Sequence, residues 1–303
     1  MAQSLSQPHP LWNKTLLIRV ITAAVLIPIV LLAVMKLPVK GFLIAWGVII
    51  LAAAWEWSAL VGIRKIPGRI AFLLMVFAAQ ALAWYWPKLV SWLATTADMP
   101  DLLILTMVLD WIVWPTVIAW LVFGFVIRKS PERLVKHPWP AGAKIFVAWF
   151  VLFTAWLLMS RLRANFGSAA VLYLLLLVWL ADTGAYFAGK KWGKNPLIPE
   201  ISPGKTFEGV FGALLVCAIY TGAVGYFLEM KATLIMDFVM LALITVLISI
   251  CGDLLISLYK RWAGVKDSGR LLPGHGGLLD RIDSLMAAAP LVYAGFLARV
   301  LFW

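Results

Sequence analysis

Long apolar segments alternate with short polar loops along most of this 303-residue chain. Each apolar run has roughly 17 to 25 residues, the length that an α-helix needs to cross about 30 Å of hydrocarbon. The pattern predicts an all-α, polytopic integral membrane protein with about nine transmembrane helices. The predicted spans are residues 16–35, 41–61, 70–86, 103–127, 143–159, 168–188, 208–228, 232–256 and 284–302.

Two acidic residues interrupt the apolar runs of the first half of the chain. Glu56 lies in the second run, and Asp110 lies with Pro115 in the long fourth run. An acid inside a span is costly and is therefore a candidate for function. Because both acids lie near span edges, we favour a structural role for each, and we expect the fourth run to be tilted, kinked or partly interfacial.

The composition supports the membrane interpretation and gives an orientation. The chain is 63% apolar and 13% charged, whereas soluble domains are nearer half apolar and a quarter charged. Of its 26 Lys and Arg residues, 19 fall in one alternating set of loops and 7 in the other. The excess predicts a cytoplasmic N-terminus in the inner membrane of the cell. The net charge of +12 suits contact with anionic membrane lipids, and no nucleic-acid motif accompanies it.

Polar residues are scattered before residue 160 and concentrated after residue 165. We therefore expect one membrane domain, in which helices of residues 1–160 form a scaffold and residues 161–303 carry the site. Cys217 and Cys251 both lie in apolar runs, so the sequence indicates neither a disulfide framework nor a cysteine metal site.

The segment 251–261 carries the first candidate chemistry. Asp253, Ser257 and either Lys260 or Arg261 stand at helical positions i, i+4 and i+7 or i+8, which share one face. An acid, a hydroxyl and a cation would then project together at the membrane surface. The alternative is a helix end with an intrahelical aspartate contact and basic side chains that reach to the interface.

The following segment adds donors and acids. The sequence Pro-Gly-His-Gly-Gly at 273–277 predicts a tight loop whose backbone N–H groups can approach an anion closely. Asp280 and Asp283 follow just before the last apolar run, where carboxylates can hold a hard divalent cation. Together the two segments indicate a metal-dependent site for phosphate groups.

The combination resembles the signature of the phosphatidate cytidylyltransferase family, also called CDP-diacylglycerol synthases. The matching residues are Ser257, Lys260-Arg261, Lys266-Asp267, Pro273 to Gly277, Asp280-Arg281 and Asp283. The segments 181–186 and 202–209 also look like family segments, so the likeness covers roughly residues 165–303.

The resemblance implies an enzyme that converts CTP and phosphatidic acid to CDP-diacylglycerol and pyrophosphate at a cytoplasm-facing site. It implies Mg²⁺ as a cofactor, allows a second cation, and is compatible with a homodimer. By resemblance, the metal ligands are Asp253 and Asp280. The substrate-binding candidates are Asp182, Ser202, Lys205, Gly276 and Gly277. The catalytic candidates are Ser257, Lys260, Arg261, Lys266, Asp267, His275, Arg281 and Asp283.

Two alternative functions fit the sequence less well. A CDP-alcohol phosphotransferase also acts on cytidine nucleotides at membranes, but its Asp-Gly, two residues, Ala-Arg pattern is missing here. A transporter would use Asp182 and Asp253 as an ion pathway near the midplane. Both acids instead lie near the predicted cytoplasmic ends of their spans, beside loops suited to phosphate.

Overall fold

The computed structural model describes residues 14–271 and 276–302 and shows a bundle of long helices with one small hairpin. The first half contains α1 (Lys14–Lys36), α2 (Val39–Leu60), α3 (Ile66–Thr96), a 3₁₀ helix η1 (Pro100–Met107), α4 (Val108–Trp111), α5 (Val113–Lys129) and α6 (Pro131–Lys136). The second half contains α7 (Ala141–Trp192), the strands β1 (Pro196–Ile198) and β2 (Ser202–Thr206), α8 (Phe207–Phe227), α9 (Ala232–Ala263) and α10 (Leu279–Phe302).

The helices have the length and surface of membrane spans. Among the described residues, seven helical segments are long and apolar enough to cross a bilayer. On α8, Phe211, Leu215 and Ile219 follow one another at four-residue spacing and are 69%, 64% and 64% exposed. An apolar stripe of this kind faces lipid rather than water. The predicted all-α, polytopic membrane fold is therefore confirmed, whereas the count of nine spans and the cytoplasmic N-terminus stay predictions.

Helix α7 is a helical hairpin rather than one straight rod. The backbone at Gly167 is non-helical, with φ 82° and ψ −174°. The Tyr259 hydroxyl donates to the carbonyl of Lys144 at 2.9 Å, and Asp182 shares a cavity with Asp253. Lys144 and Asp182 would be about 57 Å apart along a straight helix, yet their partners on α9 are separated by only about 9 Å. The chain must therefore turn back at Gly167, where the sequence predicted two separate spans.

The fourth predicted span is interrupted, as its Asp110 and Pro115 suggested. The 3₁₀ helix η1 is followed by the short α4, and the regular helix α5 begins only at Val113. Asp110 accepts a hydrogen bond from the Tyr293 hydroxyl at 2.5 Å and lies 3.4 Å from Arg161. These contacts give Asp110 the structural role that the sequence favoured.

Helix α10 is the central helix of the bundle. In its most apolar stretch of 18 residues, 72% is buried inside the bundle, compared with 17% to 50% for the corresponding stretches of the other six segments. Ala287, Ala288 and Ala289 are fully buried and let neighbouring helices approach closely. Because Asp280 and Asp283 lie near the start of α10, the central place of this helix brings both acids into the interior of one end of the bundle.

Candidate active site

A cavity of about 430 Å³ opens at the end of the bundle where α7, α8, α9 and α10 meet. Most of the charged residues predicted for the site line this cavity. They are Asp182, Lys205, Asp253, Lys260, Asp267, Asp280, Arg281 and Asp283. The structure thus brings together residues that are separated by about a hundred positions in the sequence.

The hairpin of β1 and β2 carries Lys205 into the cavity. The strands pair antiparallel, with Ile198 opposite Ser202 and Pro196 opposite Thr206. Thr206 then caps α8, because its Oγ1 accepts the backbone N–H of Gly209 at 3.1 Å. The cap fixes the point where the strand becomes a helix, and Lys205 lies immediately before it.

Lys205 and Ser257 occupy both oxygens of Asp253. The Lys205 Nζ atom lies 2.7 Å from Asp253 Oδ2, and the Ser257 hydroxyl donates to Oδ1 at 3.2 Å. The second contact confirms that Asp253 and Ser257 share one helical face. Burial lowers the pKa of Lys205, but the carboxylates of Asp253, Asp182 and Asp283 raise it by more, so the net pKa is raised. Lys205 is therefore held as a cation.

Protein donors also occupy both oxygens of Asp280. Its Oδ1 atom accepts from Lys260 Nζ at 2.8 Å, and its Oδ2 atom accepts from the Ser268 backbone N–H at 2.8 Å. The Ser268 hydroxyl lies 2.9 Å from the same Oδ2 atom. Asp280 is thus tied at once to α9 and to the loop that follows α9.

A close contact between α9 and α10 sets the spacing of their acids. Gly252 faces the backbone carbonyl of Asp283 and the side chain of Ala287; a Cβ atom on Gly252 would lie 2.9 Å from the Ala287 Cβ. Asp283 is 7% exposed and accepts the N–H of Ser284 at 2.8 Å. The absence of a side chain at Gly252 therefore lets Asp253 and Asp283 line the same cavity.

Several predicted residues lie outside the cavity lining. Arg261 turns away and donates to the carbonyl of Ile201 at 3.0 Å, which ties α9 to the hairpin turn. Ser202 begins β2, and Lys266 is exposed in the loop after α9.

The glycine-rich loop is described only in part. Gly276 has φ 81°, a conformation that favours glycine, and Gly277 donates its N–H to Asp280 Oδ2 at 3.4 Å. His275 lies outside the described residues.

Sequence reasoning missed several residues at the site, including Ser268, which holds Asp280. Glu56, for which it favoured a structural role, reaches the loop that contains Ser268, and Tyr186 lines the cavity while remaining 61% exposed. An acid in an otherwise apolar run was the signal for Glu56. Tyr186 ends the family-like segment 181–186, but that segment did not single it out, since aromatic residues at membrane interfaces are common.

The carboxylates at the cavity fit a divalent cation in kind, but two of them, Asp253 and Asp280, are paired with lysines. Carboxylate oxygens are the ligands that Mg²⁺ takes from proteins, and Asp182, Asp253, Asp280 and Asp283 supply them here. Across residues 14–271 and 276–302, however, no three His, Cys, Asp or Glu side chains are arranged to hold a metal ion together. Cation binding at Asp253 and Asp280 would thus require the lysine ammonium groups to move away from these carboxylates.

Comparison with known proteins supplies the family context. A family model described as the cytidylyltransferase family matches residues 17–298. The phosphatidate cytidylyltransferase of Pseudomonas aeruginosa is 35% identical over 280 residues, which cover 92% of this chain and 96% of that protein. The Haemophilus influenzae protein of the same name is 35% identical over 293 residues, covering 90% of this chain and 95% of its own. A Staphylococcus epidermidis protein of that name is 49% identical over 129 residues, covering 42% of this chain and 48% of its own.

Proposed function

Because this chain belongs to the cytidylyltransferase family, we propose that the charged cavity between α7, α8, α9 and α10 is where its reaction takes place. The protein is a phosphatidate cytidylyltransferase, which converts CTP and phosphatidic acid to CDP-diacylglycerol and pyrophosphate. One observation carries the assignment of the site: the cavity joins five carboxylates to Lys205, Lys260 and Arg281 at the end of a membrane bundle.

The reaction needs charge neutralisation more than a protein nucleophile. An oxygen of the lipid phosphate attacks the α-phosphorus of CTP and forms the new P–O bond. The bond to the β-phosphate breaks, and pyrophosphate departs with its electron pair. Both reactants are anions, so Lys205, Lys260 and Arg281 would reduce their repulsion and hold the phosphates in line.

We expect Mg²⁺ as the cofactor, with Asp253 and Asp280 as its carboxylate ligands and room for a second cation nearby. When bound, the cation would neutralise charge on the phosphate oxygens. We take the two ion pairs, Lys205–Asp253 and Lys260–Asp280, as support for this role. Each lysine can exchange its carboxylate for a substrate phosphate, which frees the carboxylate for the cation and keeps every charge paired.

An apolar side of the cavity suits an amphiphilic substrate. Ala185, Tyr186, Val210 and Ile250 line it on α7, α8 and α9. The charged side chains would hold the phosphate of phosphatidic acid, while the apolar side lets its glycerol and acyl chains extend toward lipid.

The site is proposed to face the cytoplasm from the inner membrane. Basic residues gather at the cavity end of the bundle: the Arg128 guanidinium lies over the Phe207 ring, and Lys190 and Lys191 end α7 near the hairpin. Basic residues are enriched in cytoplasmic loops, which supports this orientation. We also propose a homodimer from the sequence resemblance. The mass of the protein in nanodiscs would distinguish a dimer from a monomer.

The first test is pyrophosphate release from purified protein in detergent. We expect release only when CTP, phosphatidic acid and Mg²⁺ are all present, and none when ATP replaces CTP. Asp253→Asn and Asp280→Asn should abolish turnover while the proteins still insert and fold. Asp237→Asn is the matched control, because Asp237 is 69% exposed and lies far from the cavity beside Arg299. Normal turnover in either cavity variant would contradict the role proposed for that residue.

A further inference from the structure

Glu56 belongs to the scaffold half of the chain but is held rigidly against the site. Glu56 lies near the end of α2 and is only 3% exposed. The next residue, Trp57, is fully buried and packs edge-on against Tyr259 of α9, with ring centroids 5.4 Å apart. Arg69 of α3 binds the same end of α2 through the Trp55 carbonyl at 2.6 Å. The Glu56 carboxylate therefore has little freedom to move.

One oxygen of Glu56 faces two hydrogen-bond donors from the signature region. The backbone N–H of Leu279 donates to Glu56 Oε2 at 2.9 Å, and the Ser268 hydroxyl lies 3.0 Å from the same atom. Leu279 begins α10, where backbone N–H groups have no partner within the helix. A carboxylate at this place both satisfies the N–H and interacts favourably with the helix dipole. Glu56 thus fixes the start of the helix that carries Asp280 and Asp283.

Ser268 connects Glu56 to Asp280. Its hydroxyl has one proton and lies within hydrogen-bond distance of Glu56 Oε2 and of Asp280 Oδ2. Its backbone N–H also donates to Asp280. A continuous chain of contacts therefore runs from Glu56 through Ser268 and Asp280 to Lys260. Through this chain, the position of Glu56 sets the direction in which the Asp280 carboxylate points.

Two glycines of the loop lie directly against Glu56. Every near contact of a Cβ atom on Gly269 would be with the Glu56 side chain, whose Cγ atom would be 2.8 Å away. A Cβ atom on Gly277 would lie 2.5 Å from Glu56 Oε2 and would also meet the Ser268 hydroxyl and the Gly269 backbone. A side chain at position 269 therefore fits only if Glu56 moves, which is evidence independent of the hydrogen bonds that the loop is fitted to this carboxylate.

We propose that Glu56 is a positioning residue for cytidylyl transfer, which anchors the loop at Ser268 and the first turn of α10 so that Asp280 and Lys260 are correctly oriented. The inference rests on the proposed site and adds to it a residue from outside the signature. Its contribution is an acceptor oxygen at a fixed point. Glutamine at position 56 has the same shape and keeps one acceptor oxygen, so it should preserve this function, whereas alanine should not.

The test compares Glu56→Ala and Glu56→Gln in the full-length protein, with Asp110→Asn as the control. Asp110 is another acid in a membrane helix of the first half, but its partners are Tyr293 and Arg161 rather than the loop. We expect Glu56→Ala to lower kcat on the order of 10- to 100-fold, with smaller changes in the KM values. Glu56→Gln should keep a kcat of the same order as the unmodified protein. Amide hydrogen exchange at Leu279 should accelerate about 10-fold in Glu56→Ala alone.

Each other outcome has a defined meaning. An unchanged kcat in Glu56→Ala overturns the proposal, as does an equal loss in Asp110→Asn, because the effect would then report general packing. If Glu56→Ala fails to fold, Glu56→Gln decides: a folded but inactive glutamine variant overturns the acceptor role. Inactivity of the unmodified protein would count against the proposed function instead, so the two failures can be distinguished.

Discussion

The Nζ atom of Lys205 lies 2.7 Å from the Oδ2 atom of Asp253, and this pair joins the β-hairpin to the cytidylyltransferase signature on α9. The two side chains are 25% and 30% exposed, so the pair is open to the cavity rather than sealed in the core. A substrate phosphate or the proposed cation could therefore reach both partners. In the proposed site the pair balances one positive charge against one negative charge.

Removing the Lys205 charge should impair the reaction. We expect Lys205→Met to lower kcat/KM by about 100-fold, since a donor aimed at developing phosphate charge is lost and the nearby carboxylates repel CTP. Lys205→Arg should recover only part of the activity, because a planar guanidinium cannot take the position of an ammonium group. Initial rates of pyrophosphate release over a range of CTP concentrations give these values.

Lys191→Met is the matched control for Lys205. Lys191 is exposed at the end of α7, with its Nζ atom 4.8 Å from the centre of the Trp192 ring. The Lys191→Met variant should keep normal kinetics. A comparable loss in the two variants would indicate an effect of overall basic charge and would contradict a specific role for Lys205.

The contact between α9 and α10 at Gly252 should tolerate no added carbon. In Gly252→Ala the new methyl group would meet Ala287 and the backbone of Asp283, so the helices must separate. We expect a loss of about 1 to 3 kcal/mol in the free energy of unfolding. We also expect a loss of activity, because Asp253 and Asp283 move apart. Thermal unfolding in detergent and pyrophosphate release measure the two effects.

Gly222→Ala on α8 provides the comparison for Gly252. A Cβ atom there would meet nothing within 4 Å, so alanine should be neutral or slightly stabilising through its helix propensity. Equal behaviour of the two variants would show that α9 and α10 are not as closely packed as the structure indicates.

Gly269→Ala should reproduce the defect expected for Glu56→Ala. The backbone of Gly269 does not adopt a positive φ, so alanine causes no backbone strain, but its methyl group would displace the Glu56 carboxylate. We expect kcat to fall on the order of 10-fold or more while the protein stays inserted and folded. Normal kcat in Gly269→Ala would contradict the view that the loop is fitted to Glu56.

Local apolar patterns in the sequence predicted the fold class, and the resemblance to the family signature named most of the charged residues that line the cavity. Apolar runs located the helices, and residues spaced four apart placed Ser257 beside Asp253. The contact between Ser268 and Glu56 joins residues 212 positions apart, and no local pattern specifies which distant acid will meet the loop.

The sequence also could not choose between Lys260 and Arg261. Adjacent helical residues point about 100° apart, so only one of them can face the cavity, and both fit the spacing. The structure directs Lys260 to Asp280 and Arg261 to the Ile201 carbonyl of the hairpin turn. The position of the hairpin decides this, and tertiary packing sets that position.

Magnesium binding should be measurable without turnover. A cation that binds only the folded protein raises its stability, by about 2.7 kcal/mol at one hundred times Kd, so Mg²⁺ should raise the Tm. Asp253→Asn and Asp280→Asn should each lose this shift because each removes a carboxylate charge, whereas the exposed Asp237→Asn should keep it. A full shift in both cavity variants would place the cation elsewhere, and Asp182 and Asp283 would then be the carboxylates to replace, since they line the same cavity.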